Sequence, residues 1–258
     1  MDFSQTSDAL VIPDWPAPAP VRAVVTTRSL PGNSQPPFDA FNLGLRSGES
    51  QAVVRSNRAL LVRALGLPSA PRWLRQVHGN HAASFDETGA ENDDEERQAD
   101  AAITRIPGTV LAILTADCMP ILLCAADGSE VAAVHAGWRG MAAGVIETCV
   151  GQLRAAPARL IAWLGPAIGQ DSYEVGEEVR AAFLAPDPSA NAAFRASRPG
   201  HWHCDLYTLA RQRLHALGVT AVYGGGFDTF ADERFYSYRR DGANSGRFAS
   251  LIWSEPSR

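Results

Sequence analysis

Long apolar runs are missing from this 258-residue chain. No segment approaches the roughly 18 uninterrupted apolar residues that a membrane helix needs, so no membrane partner is expected. Cysteine is scarce. Cys118, Cys124, Cys149 and Cys204 are too few and too scattered for a disulfide scaffold. A basic excess is also missing: the formal charge is −5, which argues against a nucleic-acid or anionic-membrane binder. The start, "MDFSQTSDALVIPDW", has neither a basic cluster nor an apolar stretch, so no secretory signal is expected. A cytoplasmic protein with free thiols is the expectation. There is no internal repeat. What the chain does have is 46% hydrophobic and 20% charged residues, enough for a sizeable core and too ordered a composition for global disorder.

The length suits one large domain or two small ones. Residues 1–20, with the Pro-rich "PDWPAPAP", read as an N-terminal arm, and 21–258 as a single domain. "VRAVVTTR" is a predicted strand, and "SLPGNSQPPFDAFNLG" a loop long enough to be functional. "ESQAVVRSNRALLVRALG" predicts a helix with Val54, Leu61 and Leu65 on one face and Gly66 closing it. "RWLRQVHG" reads as a short strand, and the acidic "DETGAENDDEER" as a solvated loop. "TVLAILTADCMP" and "ILLCAADGSEVAAVHAG" suit three buried strands with a turn at Asp127-Gly128. Further on, "GMAAGVIETCVGQLRA", "YEVGEEVRAAFLA" and "CDLYTLARQRLHALGV" predict helices, the last capped by Asp205. "RLIAWLGP", "TAVYGGGFDTF" and "GRFASLIW" predict strands, with a basic loop "SYRRDGANSG" before the last. Several strands adjoin without a helix between them. That points to an α+β layered domain, not a regularly alternating α/β fold.

Three chemistry-bearing residues each close a predicted strand: His78, Cys118 and His135. Each is followed within two residues by Gly or Pro, which lets the chain turn away. Side chains at neighbouring strand ends converge on one rim of a sheet. A thiolate and two imidazoles form a good zinc set, and catalytic zinc keeps three protein ligands and one open position. The sequence spacing is wide, so each residue also has an ordinary reading: Cys118 as a small core residue and the histidines as satisfied polar groups. Cys124, Cys149, His81 and His215 take that ordinary reading. His201 and His203, in "RPGHWHCD", read as an exposed or capping loop.

"TTR", "PFDAFNLG", "SNRALL", "RQVHG", "ADCMPILL", "VAAVHAGWRG", "LGPAIGQDSYEVGEEV" and "FYSYRRDGANSGRFA" stand in the order seen in the YfiH family. The chain resembles that family, also called the laccase-domain or peptidoglycan editing factor family, from about Val21 to Trp253. The resemblance implies a single domain layered α/β/β/α with mixed β-sheets. It implies a purine nucleoside phosphorylase acting on adenosine, inosine, guanosine and methylthioadenosine, with adenosine deamination besides. It places zinc ligands on His78, Cys118 and His135. Two segments depart from the family pattern: "SLPGNS", where Gly-Gly-x-Ser is usual, and Asp228-Thr229, where Cys-Thr is common.

Phosphorolysis needs a phosphate anchor, and a guanidinium offers paired, always-charged donors. Arg28, Arg139, Arg239 and Arg240 are the candidates, with Arg139 favoured because it stands between Trp138 and Gly140 beside a ligand. Asn42 is a candidate for the ribose or for ordering its loop. Asp117 is a candidate for orienting a ligand or moving a proton, and Trp138 for the wall of the site. The partners expected are purine nucleosides and phosphate, with the oligomeric state open. Three rival readings stand. Cys118 as nucleophile with His135 as base would make a cysteine hydrolase or an editing enzyme acting on cell-wall precursors. Cu2+ in a polyphenol oxidase is less favoured, because six histidines are fewer than a trinuclear copper cluster plus an electron-transfer site use. A structural zinc protein would need a fourth protein ligand.

Overall fold

Two consecutive strands, β8 (Met119–Ala125) and β9 (Val131–Ala136), are buried at every position, which requires a sheet covered on both faces. In the computed structural model, which describes residues 9–86 and 96–256, they form the centre of a six-stranded sheet. Its other members are β4 (Ala82–Ser84), β6 (Ala101–Thr104), β10 (Leu160–Leu164) and β14 (Ala221–Gly224), in the order β14-β10-β8-β9-β6-β4. The sheet is mixed: the β10–β14 and β4–β6 pairs are parallel, and the others antiparallel. A second, antiparallel sheet runs β1 (Leu10–Val11), β2 (Val21–Thr26), β15 (Phe248–Ser254), β7 (Leu111–Thr115). Small satellites are β3 (Leu74–Arg75) with β5 (Arg97–Gln98), and β11 (Glu174–Gly176), β13 (His201–Cys204) and β12 (Phe194–Ala196).

Period-two alternation divides the core into three layers. Leu122 and Cys124 of β8, Val131 and Ala133 of β9, and Trp163 of β10 meet Leu111 and Ile113 of β7 and Phe248 and Ile252 of β15 between the sheets. The alternate residues, such as Ile121, Leu123, Ala132 and Val134, pack instead against helices. Those helices include α3 (Val145–Gln152), α4 (Glu177–Leu184) and α5 (Leu206–Ala216), which supply Ile146, Val179 and Leu209. On the outer face of the second sheet, Val24, Ala112 and Leu251 pack against Leu61 of α1 (Gln51–Leu65). The order is therefore helices, sheet, sheet, helix: a single α+β domain layered α/β/β/α.

Local signals account for most boundaries. Gly66 closes α1 in the left-handed conformation, at φ 58°. Asp205 caps α5 by accepting from the backbone N–H of Tyr207 and Thr208. Several expectations need correction. The predicted helix after His135 is two helices, α2 (Trp138–Ala142) and α3, broken where Gly144 takes φ 88°. "EVG" (Glu174–Gly176) is strand β11, not helix, because it pairs with β13. His201 and His203 lie in β13, between β11 and β12, and not in a loop. "RWLRQVHG" is strand only at Leu74–Arg75. The "SYRRDGANSG" segment contains a short helix, α6 (Tyr238–Asp241). Leu10–Val11 pairs with β2, so the end of the N-terminal arm is part of a sheet. Most of the acidic run falls at 87–95, outside the described residues.

Candidate active site

His135 is the penultimate residue of β9. It shares a face with Val131 and Ala133 and points between the two sheets at their end. The register pairs Met119 with Ala136 and Pro120 with His135. Cys118 therefore stands just beyond that ladder, beside Gly137. It does not end a strand, as its sequence context suggests: it precedes β8, in the turn where the chain passes from one sheet to the other. His78 follows β3 in a loop and takes φ 59°, rare for a residue with a Cβ. Cys118 Sγ lies 3.7 Å from His78 Nε2, and the ligand atoms of all three residues lie within 4.8 Å of one another. One sulfur and two imidazole nitrogens at such separations suit a common ion bonded at about 2.0–2.3 Å. Among the described residues this is the one cluster able to hold a metal. The surroundings fit the group as well. A Cβ on Gly137 would lie 2.9 Å from Cys118 Sγ and 3.0 Å from His78 Cδ2, so only glycine lets both ligands close in.

Asp100, fully buried, organises two of the three. Its Oδ1 is 2.8 Å from His135 Nδ1, which leaves Nε2 for the site. The same carboxylate accepts from the backbone N–H of Val77 (3.2 Å), His78 (2.9 Å) and Gly79 (2.7 Å). One side chain thus fixes a ring and pins the strained loop carrying the other imidazole. Burial by itself would raise the Asp100 carboxyl, but the His135 bond and charge and the backbone amides outweigh it and hold it below the usual range. Burial would likewise raise the Cys118 thiol. The charge of His135 and the hydrogen bonds of both imidazoles prevail and bring it down to about 6. His135 moves up, because the Cys118 and Asp100 partners outweigh its burial. Cys124 and Cys149 are pushed up to about 12 by burial, as core thiols are.

Asp117 precedes Cys118 and takes φ 90°. Its Oδ1 accepts from Thr229 Oγ1 (2.7 Å) and its Oδ2 from the Arg239 backbone N–H (2.6 Å). These bonds hold the turn in its uncommon conformation, and such strain gathers at functional sites. Asp228 accepts from the Gly169 N–H and from Ser172 Oγ, so the Asp228-Thr229 pair is structural at both residues.

The three ligand residues open onto a cavity of about 690 Å³. Of the residues singled out in the sequence, Asp117, Trp138, Arg139 and Arg239 also line it. Arg139 is exposed at the rim, stacked 4.4 Å from the Trp138 ring. Arg239 is exposed too, donating to the Glu174 carbonyl and lying over Tyr173. Arg28, Asn42 and Arg240 are not among the lining residues. Arg28 stacks on Tyr236 and pairs with Asp39, and Arg240 is spent on Asp241 and three carbonyls. Buried Asn42 ties the 42–47 loop together through Gly44 and Ser47. The divergent "SLPGNS" packs on α1 through Asn33 and Ser34, away from the cavity. Sequence reasoning passed over Asp100, Thr115, Tyr173, Arg46 and Arg247. The acidic residue before an apolar strand, in "QADAAI", was the available sign of the first.

With this geometry in place, the comparisons are specific. The sequence profile of a family described as multi-copper polyphenol oxidoreductase laccase matches residues 22–255. The chain belongs to this laccase-domain family. Within the family, a Xylella fastidiosa protein named purine nucleoside phosphorylase is 52% identical over 251 residues, covering 95% of this chain and 96% of that one. The Escherichia coli relative named purine nucleoside phosphorylase YfiH is 47% identical over 245 residues, covering 95% and 98%. A crystal structure from Neisseria meningitidis superposes with a TM-score of 0.89 at 40% identity, covering 96% of this chain and all of that one. The laccase-domain fold and membership match what the motifs imply.

Proposed function

We propose that this protein is a zinc-dependent purine nucleoside phosphorylase that also deaminates adenosine, working in the cytoplasm. The observation that carries the reading is the His78–Cys118–His135 set, buttressed by Asp100, at the floor of a cavity that also presents guanidinium groups. Relatives named purine nucleoside phosphorylase at 47–52% identity support the reaction class. His78, Cys118 and His135 would hold the zinc. When bound, the ion supplies a Lewis-acid position for an oxygen ligand.

The chain's own residues do the rest. Trp138 and Tyr173 give flat walls on which a purine can stack. Asp117 accepts from Thr229 and from the Arg239 backbone, which supports a role in positioning the Cys118 turn. In phosphorolysis a phosphate oxygen bonds to C1′ of the ribose while the bond from C1′ to the purine nitrogen breaks. The products are ribose 1-phosphate and free base. In deamination water adds at C6 of adenosine and ammonia leaves. Product analysis from adenosine separates the two. Adenine and ribose 1-phosphate must require phosphate, while inosine and ammonia must not. Failure of zinc-loaded protein to form either product set would refute the proposal.

One observation favours a second reading. A thiol lowered to about 6 beside a raised imidazole is also the pair a cysteine hydrolase uses. That reading requires full hydrolase activity in metal-free protein and its loss when Cys118 is alkylated. A copper oxidase is the weaker reading: the family description names multi-copper laccase, but among the described residues His201 and His203 bond the Pro199 and Gln170 carbonyls and join no metal cluster.

A further inference from the structure

Four arginines reach the cavity: Arg46, Arg139, Arg239 and Arg247. They differ in what already satisfies them. Arg46 is paired with Glu96. Arg139 and Arg239 are exposed, where water and salt weaken any hold on an anion. Arg247 is half-buried, and no carboxylate bonds it among the described residues. Cys118 and Asp117 act on it only through space and the Tyr238 ring lies 5.8 Å from its guanidinium carbon, so among the described residues no charged group bonds its fork directly and a ligand's anion can.

Arg247 is also built into place. Its Nη1 donates to the Ser245 and Gly246 carbonyls, both at 2.7 Å, which fixes the plane of the fork. Its Nε and Nη2 have no acceptor among the described residues. Its backbone N–H donates to Asn42 Oδ1 at 2.8 Å, and the same oxygen accepts from the Gly44 N–H at 3.0 Å. Gly44 makes the slot for the stem, because a Cβ there would lie 2.7 Å from Arg247 Cγ. The register of β15 on β7 sets Phe248 opposite Thr115, so Arg247 stands one residue beyond that pair. Among the described residues the Thr115 hydroxyl is buried without a hydrogen-bond partner, and Thr115 also lines the cavity.

We infer that Arg247 is the oxyanion seat of the cavity and binds inorganic phosphate next to the His78–Cys118–His135 set. This rests on the phosphorylase reading. The free Nε–Nη2 edge offers two parallel donors to two phosphate oxygens. Asn42 then acts at one remove, by holding both the arginine and the glycine that makes room for it.

The test uses zinc-loaded protein and adenosine, with phosphate titrated in wild type, Arg247→Lys, Arg247→Gln and Gly44→Ala. Zinc per chain checks that each variant is folded at the site. Arg247→Lys keeps the charge and loses the paired donors, so the phosphate KM should rise about tenfold or more. Gly44→Ala should raise it in the same direction with Arg247 intact. Ammonia release without phosphate should stay within about threefold of wild type, because water replaces phosphate there. Equal loss of both reactions, or an unchanged phosphate KM in Arg247→Gln, would overturn the inference. So would a larger KM rise in Arg139→Lys than in Arg247→Lys. Calorimetric titration with inorganic phosphate alone distinguishes failure of the wider reading. If wild type forms no ribose 1-phosphate yet binds phosphate, and Arg247→Gln binds it at least tenfold more weakly, the phosphorylase reading fails and the oxyanion seat stands. Wild type that binds no phosphate, or equal binding by both proteins, overturns the seat.

Discussion

Asp100 carries more of the site than any ligand does alone, since one carboxylate meets the His135 ring and three consecutive amides of the His78 loop. Asp100→Asn keeps the shape but loses the charge that favours the His135 Nδ1–H. Zinc affinity should fall by about 10–100-fold in a chelator competition, and unchanged affinity would remove Asp100 from the account. The thiols offer a second test. In metal-free protein, Cys118 sits near 6 while burial pushes Cys124 and Cys149 to about 12. The thiolate is the reactive form, so its fraction grows as pH rises through the folded value and shrinks below it. Iodoacetamide should modify Cys118 alone at pH 7.5, and about tenfold more slowly at pH 5. A midpoint near pH 9 would mean that the imidazoles do not hold the thiolate. The His78–Cys118–His135 cluster was legible in sequence because His and Cys are uncommon and carry their chemistry in the residue type. Asp100 and Arg247 were not. Their roles depend on partners brought by folding from far along the chain, and locally each is only a charged residue ahead of an apolar strand.

At the scale of elements, the turn from β9 into α2 is where the sequence both informs and misleads. "HAGWRG" marks a strand that ends at a ligand and turns through glycine, and the structure has that form. The same adjacency overstates Arg139. The start of α2 sends its side chain to the rim, and contact with Trp138 does not bury it. Gly137 matters more than its neighbours, since any side chain there meets Cys118 Sγ and His78. Gly137→Ala should lower kcat/KM for adenosine by about 100-fold through displaced ligands. Its far-ultraviolet circular dichroism should match wild type, because the glycine lies at a helix start and not inside a strand. A variant with full zinc content and activity would show that the ligand set tolerates the added methyl. Strand ends were less legible than strand centres. Apolar runs mark the buried middle of β8, whereas Cys118 precedes β8 because the chain changes sheets there, which no local pattern records.

Over the whole molecule, the layer order follows from period-two alternation: one set of residues in β8 to β10 meets the second sheet and the other meets the helices. The mixture of adjoining strands and separate helices made an α+β layered domain readable. The order of strands within each sheet was not readable, because β15, from the C-terminal end, inserts between β2 and β7. That long-range closure brings Arg247, with Tyr238 and Arg239, to a cavity whose other walls come from the 44–47 loop and from residues 74–173. The account's central claim is that this convergence makes a zinc-dependent phosphorylase. The most direct measurement is the initial rate of ribose 1-phosphate formation from adenosine and phosphate as zinc is added back to metal-free protein. The rate should climb in proportion to zinc, level off at one ion per chain, and stay at background throughout in Cys118→Ala. Full phosphorolysis before any zinc is added, or none at saturation, would contradict the account.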